Sequence, residues 1–398
     1  MSNCSLKSQP SESIFIFAGE ASGDLYGARL IEQLKKIYPQ ASFFGVGGNK
    51  LQNAGLEIIY PLERFSVMGF SDVLKALPRL IKSLFYLRKL IISRQPKLCL
   101  FIDQPDFSLR LAKLLRQKKF SGKIVQFVAP TVWAYKKQRA TLFAKHFDLL
   151  LTLFSFEPAY FAHTQLKTVW VGHPLVEVIE QHREKTHITE EKNKNLLSIF
   201  PGSRPGEIQR NLPIQLEAAC LFCNHLKNTK WEIAISESNP AFQADYCKII
   251  ENARQKSLFQ GPITLVPFDK RYELMRSSSF ALAKSGTVTL ELALFGCPTL
   301  VSYELSFLNR FIATHLLKVD LPFYCIVNIL KKKEIFHEMI KEKITPTAIF
   351  KKLLQLEFDV EKKETLKREC KELFSLLQGE KKPTIAACEA IAQLCGNL

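Results

Sequence analysis

The sequence contains no apolar stretch approaching the roughly 18 residues that a membrane span needs, so any meeting with a membrane is expected from its surface. It also lacks a recognisable secretory signal, because the first apolar run, residues 14–18, is too short and has no cleavage pattern. Ten cysteines are scattered without a disulfide-like rhythm. A reducing cytoplasm is the expectation, with most thiols serving as small core residues. The single Cys-x-x-Cys, Cys220 and Cys223, falls on the apolar face of a helical segment and has no second pair, which argues against a metal or redox role. Tandem repeats and low-complexity blocks are missing, and so is the GxGxxG of a dinucleotide fold. Acidic residues are scarce: 38 Asp and Glu stand against 55 Lys and Arg, for a net charge of +17. Such an excess points to an anionic partner: a nucleic acid, a phosphorylated small molecule or an anionic membrane surface. Between Lys75 and Lys123, 13 basic residues face only Asp103 and Asp106, which places +11 of the charge in that one stretch.

What is present describes a folded α/β protein. At 398 residues the chain exceeds one ordinary core, and 47% apolar with 23% charged residues is a globular composition. Short apolar runs at 14–17, 43–46, 98–102, 124–128, 149–153 and 169–171 alternate with helical periodicity. A polar segment, 177–195, reads as a linker. A second alternation follows, with strands at 196–200, 231–235, 263–266, 280–283 and 299–301, and helices close the chain over 361–398. The expected fold is α/β, two doubly wound Rossmann-like domains over 1–176 and 196–360, their parallel sheets facing across a cleft. The closing helices have the option of crossing back to the first domain.

Ligands of such sheets sit at the carboxyl ends of the strands. Unusual residues fall there repeatedly: Glu20, Asp103, Asp106, Trp133, Glu157 and His173. Asp103 ends a buried strand two residues before Pro105 and is suited to accept a proton from a hydroxyl, while Asp106 fits a helix cap better. In the second half, Leu196 to Phe200 leads into Pro201-Gly202-Ser203-Arg204, a turn with free N–H groups, a hydroxyl and a guanidinium, before an amphipathic helix. Lys284-Ser285-Gly286-Thr287 repeats the arrangement, and Glu291 lies one turn into its helix. One such loop alone is commonly a plain helix cap. Two in one domain fit a nucleotide diphosphate, held without a metal. The segment 77–92 reads as a basic amphipathic helix, with Leu77, Leu80, Ile81, Leu84, Leu87 and Ile91 on one apolar face and Phe85 and Tyr86 off it. It suits a membrane surface or ordinary packing.

Taken together, these motifs resemble the lipid-A-disaccharide synthase family of GT-B glycosyltransferases. The resemblance is carried by Ala18-Gly19-Glu20-Ala21-Ser22-Gly23-Asp24, Val67-Met68-Gly69, Ile102-Asp103-Gln104-Pro105-Asp106-Phe107 and Pro130-Thr131-Val132-Trp133-Ala134. It continues through Phe156-Glu157-Pro158, Gly172-His173, Pro201-Gly202-Ser203-Arg204 and Ser285-Gly286-Thr287. The family would transfer diacylglucosamine from its UDP derivative to 2,3-diacylglucosamine 1-phosphate (lipid X), with inversion and with no cofactor or metal. The resemblance implies Asp103 and Arg204 as catalytic residues. It implies Glu20, Ser22, Met68, Trp133, Glu157, His173, Ser203, Ser285, Gly286, Thr287, Glu291 and Asn328 as substrate-binding. Asn328 departs from the family pattern, standing after Leu321-Pro322 at a longer spacing and behind Val327. The implied partners are the two lipid substrates and the inner membrane surface, met from the cytoplasm, with no nucleic acid and a homodimer left open. The competing readings are another nucleotide-sugar-dependent GT-B enzyme, a nicotinamide oxidoreductase, or a non-enzymatic membrane- or nucleic-acid-binding protein.

Overall fold

The computed structural model describes residues 12–65, 70–134, 138–185, 195–226, 229–256, 258–304, 321–340 and 344–396. They form two compact units. One contains residues 12–174 with 377–396, the other 175–304 with 321–376.

Unit 1 is built on a seven-stranded, all-parallel sheet in the order β3-β2-β1-β4-β5-β6-β7. Its strands are β1 (Ser13–Ala18), β2 (Ser42–Gly47), β3 (Leu56–Pro61), β4 (Leu98–Ile102), β5 (Lys123–Phe127), β6 (Leu149–Thr152) and β7 (Lys167–Trp170). The central strands are apolar throughout because helices cover both faces. Successive side chains point to opposite faces and build two cores. Ile14, Ile16, Leu98 and Leu100 pack with Leu30 and Leu34 of the Ala21–Ile37 helix on one side. Phe15, Phe17, Cys99 and Phe101 pack on the other with Leu87 and Ile91 of the Phe70–Arg94 helix and Leu111 and Leu115 of the Pro105–Gln117 helix.

The first core also takes in Ala387, Cys388, Ala390 and Ile391 of the last helix, Pro383–Cys395, which lies along the Ala21–Ile37 helix. Tyr38 Oη donates to Gly396 O at 3.1 Å beside it. The terminal segment expected over 361–398 is therefore divided. Most of the Val360–Leu377 helix belongs to unit 2, and the chain joins unit 1 from Leu377 onward.

Unit 2 carries six parallel strands in the order β10-β9-β8-β11-β12-β13. They are β8 (Leu196–Phe200), β9 (Glu232–Ser236), β10 (Ile263–Val266), β11 (Phe280–Ala283), β12 (Thr299–Ser302) and β13 (His337–Met339). The first half of the expected linker is the Leu175–Lys185 helix, and unit 2 begins at Leu175. The polar composition of the expected linker concealed Val178 and Ile179, both buried, and Leu175 and Val176, expected in the first domain, open the helix that begins unit 2.

Three further details differ from expectation. β3 and β13 both edge their sheets and escaped the reading of apolar runs. In the basic helix Ile81 is 42% exposed and lies outside the packed face, beside the exposed Phe85 and Tyr86. Arg88 stacks over the Phe85 ring at 4.9 Å, so the solvent side of this helix alternates apolar and cationic groups. No helix among the described residues is long and apolar enough to cross a membrane.

Candidate active site

In both sheets the strand order reverses between the first and fourth strands. Such a point, where the loops leaving the carboxyl ends diverge, is the usual ligand position of a doubly wound sheet. Asp103 with Ser22, and the Ser203–Arg204 and Ser285–Thr287 loops, lie at these two places, whereas Trp133, Glu157 and His173 follow later strands.

In unit 1, β1 and β4 run side by side, with Ala18 opposite Ile102. Asp103 follows directly, at φ 62°, and Gln104 continues the left-handed turn at φ 42°. Two consecutive left-handed residues other than glycine cost about 1–2 kcal/mol each, so the surroundings must hold them. Asp103 N–H donates to Phe127 O at 3.0 Å, and Gln126 Nε2 donates to Asp103 O at 3.1 Å. Gln104 Nε2 donates to Gly19 O and Phe65 O, each at 3.1 Å. Any Cβ on residue 19 would lie 2.4 Å from Gln104 Oε1, so glycine is what lets this brace close. The Asp103 carboxylate is thereby turned out of the strand. It accepts Gln104 N–H at 3.0 Å and Ser22 Oγ–H at 3.4 Å. Burial raises its pKa above the ordinary carboxylate range, against the lowering effect of those two bonds.

Its acidic neighbours do other things. Asp24 caps the following Asn49–Asn53 helix, accepting N–H from Gly48, Lys50 and Leu51 at 2.7–3.1 Å. Asp106 pairs with Arg139 at 2.8 Å instead of capping. Glu20 stands at the N-cap of the Ala21–Ile37 helix, one residue past the end of the β1 turn.

Trp133, Glu157 and His173 follow β5, β6 and β7. Glu157 is 3% exposed, and its Oε2 accepts N–H from Leu153 and Phe154 at 3.0 and 3.1 Å. Burial pushes it up to about 7, although those N–H groups and the Trp133 indole act in the opposite direction. The indole N–H is turned toward this carboxylate but falls outside hydrogen-bonding geometry. Trp133 meets Phe156 edge to face, Phe156 stacks on Phe154, and His173 closes the row against Phe154 and Tyr26. Burial pushes His173 down to about 3, so its imidazole is neutral at ordinary pH. Its surroundings are those of a core histidine. Met68 lies outside the described residues.

In unit 2, β8 and β11 are neighbours, with Phe200 opposite Ala283, and Lys284 N–H donates to Phe200 O at 2.9 Å. The two anion-friendly loops are therefore adjacent. Arg204 is the extended N-cap of the Pro205–His225 helix, and the exposed Ser203 precedes it. Beneath them lies a residue that the sequence reading passed over. Glu207, 4% exposed, receives Arg204 Nη1 at 2.7 Å and Lys284 Nζ at 3.2 Å on Oε1, and Ser203 N–H at 3.2 Å on Oε2. Gly202 sits at φ 123°, and a Cβ there would come within 2.5 Å of Glu207 Oε2. The signal for Glu207 was a carboxylate three residues after an arginine at a helix start, which reads equally well as an exposed first-turn charge.

Ser285 Oγ donates to Tyr324 O at 3.2 Å rather than capping the Thr287–Leu294 helix, and Gly286 and Thr287 are exposed at that helix's start. Glu291 is buried and already engaged, accepting Tyr272 Oη–H at 3.1 Å with Arg271 Nη2 at 3.5 Å. Asn328 needs a correction. It is 0% exposed, donates through Nδ2 to Phe336 O and Glu338 Oε1, and accepts from Ile335 and Phe336 N–H on Oδ1. Its carboxamide has no capacity left for a substrate.

A family model described as lipid-A-disaccharide synthetase matches residues 14–391. The lipid-A-disaccharide synthase of Chlamydia pneumoniae is 38% identical over 368 residues, a match covering 91% of this chain and 59% of that protein. The chain thus spans a little over half the length of the chlamydial relatives it matches. The lipid-A-disaccharide synthase of Hahella chejuensis is 34% identical over 385 residues, covering 96% of this chain and 94% of its own. Among solved structures, the chain is similar to S. aureus MnaA in its UDP co-structure, with a TM-score of 0.63, 13% identity and 97% and 98% of the two chains covered. It is similar also to CalG4, the calicheamicin glycosyltransferase, with a TM-score of 0.57, 11% identity and 97% and 98% covered. At such identities these structures speak to fold alone, and that fold is the two-domain α/β architecture expected from the alternating strands.

Proposed function

The chain belongs to the lipid-A-disaccharide synthetase family, and from that premise we propose that it condenses UDP-2,3-diacylglucosamine with 2,3-diacylglucosamine 1-phosphate, releasing UDP. The observation that carries the reading is the adjacency of the Ser203–Arg204 and Ser285–Thr287 loops where β8 and β11 reverse order. A diphosphate would lie there on cations and helix N-termini. Asp103 would take the proton of the acceptor's primary hydroxyl as that oxygen bonds to the donor's anomeric carbon. The bond from that carbon to the UDP oxygen breaks, and the configuration inverts. A carboxylate made more basic by burial suits this role. Arg204 stabilises the charge gathering on the departing UDP, and it helps catalysis because that contact tightens as the bond breaks. In this reading the leaving group is held by cations of the chain and not by a metal.

The acyl chains favour an enzyme seated on the cytoplasmic face of the inner membrane. The exposed Ile81, Phe85 and Tyr86, interleaved with Lys82, Arg88 and Lys89, support that placement. The test is mass spectrometry of the product formed from UDP-diacylglucosamine and lipid X. A tetraacyl disaccharide 1-phosphate supports the reading, and recovery of both substrates unchanged by the folded protein refutes it.

A further inference from the structure

Lys284 is a largely buried cation beside the Ser203–Arg204 loop, its side chain 16% exposed. Its Nζ lies 3.2 Å from Glu207 Oε1 and 4.6 Å from the centre of the Tyr303 ring. Arg204 reaches the same Glu207 oxygen from the other loop. Arg210, one turn further along the helix, has a buried Nε without a hydrogen-bond partner among the described residues and acts electrostatically on Tyr303, as Arg204 does. Two cations thus meet on one carboxylate oxygen, so these loops keep a net positive charge that suits the negative charge of a diphosphate.

Resting on the donor-site reading above, we propose that Lys284 is a second cationic ligand of the diphosphate beside Arg204, and that Glu207 is the positioning residue that keeps both cations aimed at it. One carboxylate oxygen holds the guanidinium and the ammonium side by side before any ligand arrives, and the other oxygen fixes the Ser203 backbone between them. The cations need not search for a geometry when the diphosphate binds, so less ordering opposes binding. Glu207 also keeps Lys284 charged. Burial and Arg204 draw its pKa down from the ordinary lysine value, and the carboxylate opposes them. The groups facing the ammonium are Glu207, Arg204 and Tyr303, with Arg210 beyond the ring.

The experiment is calorimetric titration of UDP into the full chain, at a pH above about 7.5, where the terminal phosphate of UDP is already ionised. Arg204→Ala serves as the control for the donor-site reading. Lys284→Ala is expected to weaken UDP binding by about tenfold and Lys284→Arg to restore most of it. In Glu207→Gln, affinity is expected to fall further as pH rises, starting at lower pH than in the unsubstituted protein. The double variant Glu207→Gln/Lys284→Arg should lose that slope, because a guanidinium does not titrate there. Melting curves establish that each variant is folded, and Lys284→Gln replaces Lys284→Ala should the latter fail. If Arg204→Ala loses UDP while the Lys284 variants bind it normally, the Lys284 assignment is overturned and the donor site stands. If neither substitution alters UDP binding, or the unsubstituted protein does not bind UDP, both fall. A Glu207→Gln variant with an unaltered pH profile makes Glu207 a mere structural brace and overturns its positioning role.

Discussion

The two units turn the same topology to opposite electrostatic ends. Each places a carboxylate at the point where its first and fourth strands part. In unit 1 that carboxylate is Asp103, held by one backbone N–H and a long bond from Ser22, with no ion pair to Lys or Arg among the described residues. In unit 2 it is Glu207, buried under Arg204 and Lys284. A carboxylate left without a cation becomes a better base, whereas one covered by cations becomes a mount that presents positive charge outward. The sheet supplies the location, and the one or two side chains on the loops decide whether it offers a base or an anion seat.

The sharpest way to break this contrast is to remove the unpaired charge. Asp103→Asn is expected to lower turnover by about a thousandfold while UDP affinity stays unchanged, and full turnover in that variant would sink the base assignment. Next in size, Arg204→Ala should weaken UDP binding by about tenfold or more without moving the pH dependence that Asp103 imposes, as titration with UDP would reveal. The acid limb of kcat/KM should lie above the ordinary carboxylate range. Asp103 must be ionised to act, and its raised pKa delays ionisation. The smallest effect is on stability. A carboxylate whose pKa is raised by folding makes the native state bind protons more tightly, so its contribution declines as pH rises through the folded-state value. Asp103→Asn should therefore melt about 1–3 °C higher than the unsubstituted protein near pH 8 in a scanning calorimeter. Glu157, at about 7, carries the same sign, and Glu157→Gln should flatten the fall in melting temperature between about pH 5 and 8.

Much of the fold was legible because parallel central strands are apolar along their whole length, and β1, β4, β6 and β8 stand out as such runs. The edges were not. β3 mixes exposed Glu57 and Pro61 with half-buried residues, and β13 has only three residues. The placement of Asp103 and Arg204 was legible because strand ends and helix starts mark themselves in sequence. Glu207 and Lys284 were not, since a charge in a loop looks the same whether it is solvated or pinned beneath its neighbours. Asn328 illustrates the reverse error: an asparagine after a turn looks available, yet its partners Ile335, Phe336 and Glu338 are supplied by the chain that follows.

The last helix, Pro383–Cys395, fills the same core as β1, with Ile391 and Ala387 among Ile14, Ile16 and Leu98. The strands of unit 1 precede those of unit 2 along the chain, yet their core cannot be finished until unit 2 has been translated. The Ala21–Ile37 helix of unit 1 keeps an apolar flank open while all of unit 2 is translated, and the Pro383–Cys395 helix closes it. A stop before Pro383 would damage the core of unit 1 and leave that of unit 2 intact.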